Sequence, residues 1–348
     1  MTTLFDPITI GDIECLNRIF MAPMTRSRAG QGDVPTDMNA LYYAQRASAG
    51  LIITEGVYPN FDGKGYVRTP GIVTNEQIAG WKLVSDAVHA RGGKIVMQLM
   101  HCGRVASAHN KPKSARTLAP SAIQAKGEMY TDAAGMQPFE VPEEMSQSDI
   151  EQTIVDYSQA TKNALEAGFD GVELHCTSGY LPAQFLSTGT NKRKDKYGGS
   201  LENRLRFVLE CLDAITNVAG AGRVGIRICP GNPFNDLFDE KPEETFSAFI
   251  SEINPLSLAY LHIIRMKAGV DNIALGKTFN GTVILNDSYD LERGNRALAA
   301  GQGDAISFGR AYIANPDLVE KFKNCTPVSK PDYKTMYTSG PKGYVDYD

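Results

Sequence analysis

Eight short runs of β-favouring residues, spread over the whole chain with helical patterns between them, limit its fold more than any other feature. They cover residues 18–22, 51–55, 94–100, 171–175, 224–229, 259–264, 282–285 and 304–308. Stretches such as LIIT, KIVMQL and VGIRI are nearly continuous in apolar residues, as expected for parallel strands covered on both faces. In 77–90, Ile78, Trp81, Val84 and Val88 recur three or four apart, and Gly92 follows as a stop. In 149–167, Ile150, Ile154, Tyr157 and Leu165 share one face. Ser146 is the expected N-cap of that helix, Asp149 takes the capping-box position and Gly168 ends it. Alternating β and α elements give a doubly wound sheet or a barrel, and eight units in one chain favour a (β/α)8 TIM barrel. No linker divides residues 1–348, so one domain is expected.

Two connections exceed the minimal βα unit. Residues 102–145, after the third strand, are a Pro-, Gly- and Ser-containing excursion; residues 188–200, after the fourth, are basic and polar. Both follow strand C-termini, the face where barrel active sites lie, so both are expected as lids or site walls. Gly220, Gly222 and Gly225 spell G-x-G-x-x-G, but after a helical pattern and before the strand VGIRIC. A dinucleotide fingerprint needs the reverse order, strand then helix, so this is read as a helix-to-strand turn.

A net charge of −5 and a pI near 5.7 argue against a nucleic-acid footprint. The start shows no basic n-region before an apolar stretch, and no segment reaches membrane-spanning length, so neither secretion nor a membrane partner is expected. Six scattered cysteines without a CxxC pair read as reduced thiols of a cytoplasmic protein, with no metal site. The Asn-x-Ser/Thr matches at Asn280, Asn286 and Asn324 are then chance.

Polar side chains collect at strand C-termini: Thr25 and Arg26, Thr54 and Glu55, Gln98 and His101, Glu173 and His175, Arg227, and Gly309-Arg310. The N-terminal ends show no comparable set. Six strands converging on one face point to an active site rather than to isolated structural groups.

Here the chain resembles the old yellow enzyme family of FMN-dependent ene-reductases over essentially its full length. The matching motifs are LFDPITIG, NRIFMAPMTR, YYAQRASAGLIITEG, GFDGVELH followed by GYLPAQFL, KYGGSLENR, FGRAYIANPDL and KGYVDY, in that order. The resemblance implies FMN as cofactor, NAD(P)H as reductant and a small electrophilic alkene as substrate. It implies that Thr25 donates to the flavin C4 carbonyl, which places the chain in the Thr-type branch. Gln98 would pair with the pyrimidine edge, and Arg227 would stand beside N1 and the C2 carbonyl. Main-chain groups of Pro23, Met24 and Gly56 would complete the ring pocket. Gly309 and Arg310 would hold the phosphate, with Asp287 and Ser288 at a second phosphate contact that is Gly-rich in most relatives. His175 and Ser178 would bind the substrate oxygen. Hydride would pass from flavin N5 to the β-carbon, and Tyr180 would protonate the α-carbon. Tyr337 matches a position near substrate and flavin. A monomer or homodimer is expected.

Two residues depart from the family pattern. Ser178 stands where an Asn or His is usual, and Met100 replaces a tryptophan, exchanging a rigid wall for a flexible one. The alternative reading is therefore an FMN-binding protein or weak reductase of altered substrate range. A flavin-free lyase or aldolase has no support, because no lysine ends a barrel strand where a Schiff base could form.

Overall fold

The computed structural model describes residues 2–266 and 269–347. The eight runs form β1 (Ile19–Met21), β2 (Ile52–Val57), β3 (Ile95–Leu99), β4 (Gly171–Cys176), β5 (Val224–Ile228), β6 (Tyr260–Ile264), β7 (Thr282–Asn286) and β8 (Ala305–Phe308). They pair in parallel and in chain order, and β8 closes onto β1. Their apolar continuity has the expected cause: every residue of β2, β3, β4 and β5 is buried.

Between the strands run α1 (Asp37–Ala44), α2 (Asn75–His89), α3 (Gln147–Glu166), α4 (Leu201–Ala219), α5 (Pro242–Ile253), α6 (Asn272–Gly276) and α7 (Leu291–Ala299); α8 (Leu318–Lys323) follows β8. The cap of α3 is as expected: Ser146 Oγ accepts from Asp149 N, and Asp149 Oδ2 accepts from Ser146 N. Helix α2 starts at Asn75, two residues before the expected 77, because Thr74 and Gln77 form a reciprocal capping box. At Gly220 the chain leaves α4 with φ 77° and enters β5 through a single 3-10 turn, Ala221–Arg223, so the glycine triplet opens no α-helix.

The two ends of the barrel differ. An antiparallel hairpin, Ile8–Ile10 with Ile13–Cys15, packs its apolar side against Phe20, Leu51, Ile53, Val96, Tyr260 and Ile284. That plug seals the N-terminal end and leaves the C-terminal end to carry a cavity. No helix among the described residues is long and apolar enough to cross a membrane.

Candidate active site

A cavity of about 1070 Å³ opens at the C-terminal mouth. Pro23, Met24 and Thr25 line it after β1, Gly56 from β2, Gln98 and Met100 at the end of β3, and His175, Ser178 and Tyr180 from β4 and its loop. Arg227 joins from β5, Asp287 and Ser288 after β7, Gly309 and Arg310 after β8, and Tyr337 from the tail. The fold thus gathers every residue that the family resemblance placed at the site, whereas Arg26, Thr54, Glu55, His101 and Glu173, also read at strand ends, do not line the cavity.

The floor is a polar network. Gln98 Nε2 donates to Glu173 Oε1 at 2.7 Å, Glu173 Oε2 meets His262 Nδ1 at 2.8 Å, and His262 Nε2 meets Ser307 Oγ at 2.8 Å. Burial, with Arg227 beside it, holds His262 below its ordinary value and therefore neutral. Its Nδ1–H then donates to Glu173, and Nε2 accepts from the Ser307 hydroxyl. Burial alone would raise Glu173, but His262, Arg227 and Gln98 outweigh it and keep the carboxylate ionised. Arg227 Nη2 donates to Asn286 Oδ1 at 2.7 Å, while its buried Nε and Nη1 have no partner among the described residues. Buried N–H groups left unpaired are costly, so this floor is built for an acceptor-rich ligand edge.

The reacting wall depends on a tight turn. Ser178 (φ 58°) and Gly179 (φ 78°) are both left-handed, and they swing Tyr180 back until its ring lies 5.1 Å from that of His175. A Cβ on Gly179 would come within 2.7 Å of the Asn235 side chain, so the turn admits no larger residue. Asn235 Nδ2 pins the turn by donating to the Ser178 carbonyl at 2.7 Å. Burial drives His175 well below 6.5, helped by the Arg227 charge, so its imidazole is neutral. Burial likewise drives the Tyr180 hydroxyl well above 10, so it keeps its proton. Met100 is buried against Gly56, where a Cβ would meet its Sδ at 2.4 Å.

At the far end, Arg310 reaches Asp287 Oδ1 at 3.3 Å, and Asp287 and Ser288 both hold positive φ (75° and 63°). Both residues thus keep the left-handed backbone that glycine favours. The rim comes from the excursion after β3, whose hairpin Glu128–Thr131 with Gly135–Pro138 supplies Met129, Tyr130 and Met136. Arg68 joins that hairpin to the tail by pairing with Asp132 and donating to the Tyr337 carbonyl. The second long loop does not follow expectation: none of residues 188–200 lines the cavity. Its buried Arg193 donates to the carbonyls of Pro120 and Met145, turning the loop outward onto the base of the excursion.

Sequence reading missed several contributors. Tyr66 lines the cavity with its hydroxyl 2.9 Å from that of Tyr180, and Asn286, Ser307 and His262 build the floor. A polar residue on the inward parity of an apolar strand was the available signal for His262 and Ser307. Tyr66 carried none.

Residues 3–328 match the NADH:flavin oxidoreductase / NADH oxidase family. A probable flavin mononucleotide-dependent alkene reductase of Leishmania infantum is 39% identical, over 99% of this chain and 96% of that protein. Morphinone reductase in complex with tetrahydroNAD superposes with a TM-score of 0.96 at 41% identity, covering 100% of this chain and 98% of that one. The old yellow enzyme homologue of Zymomonas mobilis gives 0.96 at 38%, covering 100% and 99%. A parallel barrel with this donor-lined mouth and these relatives is a flavin-dependent oxidoreductase. The chain belongs to the NADH:flavin oxidoreductase / NADH oxidase family, which is that of the old yellow enzyme.

Proposed function

We propose that this enzyme, acting as one FMN-binding unit over residues 1–348, uses NAD(P)H to reduce activated C=C bonds of unsaturated carbonyl, imide or nitro compounds. The observation that carries the reading is the placing of His175 and Tyr180 side by side on one wall, ring centroids 5.1 Å apart, above a floor of unpaired Arg227 donors; burial favours the neutral imidazole and the protonated phenol there. FMN fits that floor: Arg227 and Gln98 would hold its pyrimidine edge, Thr25 would donate to its C4 carbonyl, and Pro23, Met24 and Gly56 would offer main-chain groups. Gly309 and Arg310 would hold its phosphate beside Asp287 and Ser288. Thr25 at this position is the mark of the Thr-type branch.

FMN held there would supply the hydride chemistry, carrying it from the nicotinamide to the β-carbon of the alkene. His175 donates a neutral N–H to the substrate oxygen, which draws electron density from the conjugated bond. Ser178 is the second group at that oxygen, with a shorter and less directional hydroxyl than an amide. Tyr180 gives its proton to the α-carbon. Met100 and Tyr337 bound the space for the rest of the substrate. Five of the six cysteines are buried and all six are unpaired, which supports a cytoplasmic location. A monomer or homodimer suffices, since one chain supplies every group named.

Tyr180→Phe tests the reading by anaerobic stopped flow. Flavin reduction by NADPH should stay near wild type, while reoxidation by cyclohexenone slows about 10²- to 10⁴-fold, the usual worth of a positioned acid. Equal losses in both half-reactions would refute the assigned role. Wild-type flavin that no activated alkene can reoxidise would favour the flavin-binding alternative.

A further inference from the structure

Glu173 is a full charge sealed beneath the cavity floor, with its side chain 0% exposed. It lies two residues before His175 on β4, so both side chains point into the barrel. Unlike His175, it does not line the cavity; Gln98 and Ser307, which do, stand between it and the opening. One oxygen takes Gln98 Nε2 at 2.7 Å and the other takes His262 Nδ1 at 2.8 Å. Beside it stands Arg227, with two N–H groups unpaired.

This arrangement has two consequences. The amide nitrogen of Gln98 is engaged below, which leaves Oε1 as its free acceptor toward the cavity. The positive charge of Arg227 is opposed from one layer down by a negative charge that touches neither substrate nor cofactor. In so dry a setting a full charge acts with little screening.

We propose that Glu173 sets the reduction potential of the bound flavin, its negative charge offsetting Arg227 and so holding the potential down. The inference rests on the assignment of Gln98 and Arg227 to the flavin pyrimidine edge. Two-electron reduction places negative charge at that edge. Arg227 favours it and Glu173 disfavours it, so the balance of the two tunes the couple. Glu173 acts through its neighbours and is a positioning residue.

Glu173→Gln removes the charge with little change of shape. Its Oε1 can still accept from Gln98, and its amide can donate to His262 Nδ1 if that ring takes its other tautomer. Glu173→Asp keeps the charge and shortens the reach. Potentials are read by dye equilibration under anaerobic conditions on the purified holoenzymes, and FMN affinity by quenching of flavin fluorescence. In Glu173→Gln the ratio of reduced to oxidised flavin at fixed potential should rise at least about tenfold, an upward shift of ~30 mV for a two-electron couple. Glu173→Asp should bind FMN more weakly yet keep a potential close to that of wild type. An unchanged or lower potential in Glu173→Gln, or equal rises in both variants, would overturn the proposal. Wild-type protein that takes up no FMN would instead sink the reading of the site, and the proposal with it.

Discussion

Tyr180 has one hydroxyl proton, and in alkene reduction that proton goes to carbon, leaving the oxygen to be stabilised by what it accepts. The only side-chain hydrogen bond found at that oxygen among the described residues is to Tyr66, at 2.9 Å. At rest Tyr66 adds to the burial that holds the Tyr180 hydroxyl up; once Tyr180 has given its proton to carbon, the Tyr66 hydroxyl donates to the oxygen left behind. Tyr66→Phe should then slow alkene reduction about tenfold, the ~1.4 kcal/mol scale of one lost hydrogen bond, without slowing flavin reduction. In a Tyr180→Phe background the same change should cost little. Additive losses in that cycle would mean that Tyr66 packs against substrate and does not act through Tyr180. Ser178→Asn restores an amide beside His175 and should raise the rate on small enones by up to roughly a hundredfold, the worth of one oxyanion donor. No change would place the limitation elsewhere. His175 and Tyr180 were legible in the sequence because they lie five positions apart on one strand and its turn. Tyr66 was not, because its contact spans 114 residues and an aromatic in a loop has no distinguishing pattern.

Among the elements, the strands were the most legible and the loops the least. Continuous apolar runs follow from burial on both faces, whereas the course of 188–200 depends on Arg193 finding carbonyls more than 45 residues away. The C-terminal tail shows the same dependence. Arg28 donates to the carbonyls of Gly340, Met336, Thr335 and Lys342, and its guanidinium lies 4.7 Å from the Tyr344 ring centroid. Arg26 adds Met336 and Gly343. These two arginines strap the tail onto the end of β1, and the tail in turn carries Met336 and Tyr337 to the cavity rim. Lysine has neither the planar fork nor the number of donors to replace Arg28. Arg28→Lys should therefore loosen the strap by about 1–3 kcal/mol, the worth of part-buried hydrogen bonds to a charged group. Limited proteolysis should cut the tail faster than in wild type while the barrel stays resistant, and tail cleavage at the wild-type rate would show that the remaining contacts suffice.

For the molecule as a whole, the number of strands and their order could be read from the sequence because each repeats the same covered, alternating unit; the ionic state of the interior could not. Glu55 shows why. It lies within the buried strand β2, accepts from Arg26 N at 3.1 Å and lies 3.4 Å from the Tyr43 hydroxyl, fixing the segment that carries Thr25. Burial is the largest influence on it and raises its pKa from 4.5 to about 7, against the pull of Arg26 and Tyr43. Folding therefore takes up a proton at this group. Its contribution to stability is fully present below the unfolded value and is lost as pH rises through the folded value. The difference between the two amounts to ~3 kcal/mol. Glu55→Gln keeps an acceptor for Arg26 N but cannot ionise. Its melting temperature should match that of wild type near pH 4.5 and exceed it increasingly up to about pH 7.5. Thermal melts of the two proteins across that range check this, and a gap that stays constant with pH would mean that Glu55 is ionised in the fold at no cost.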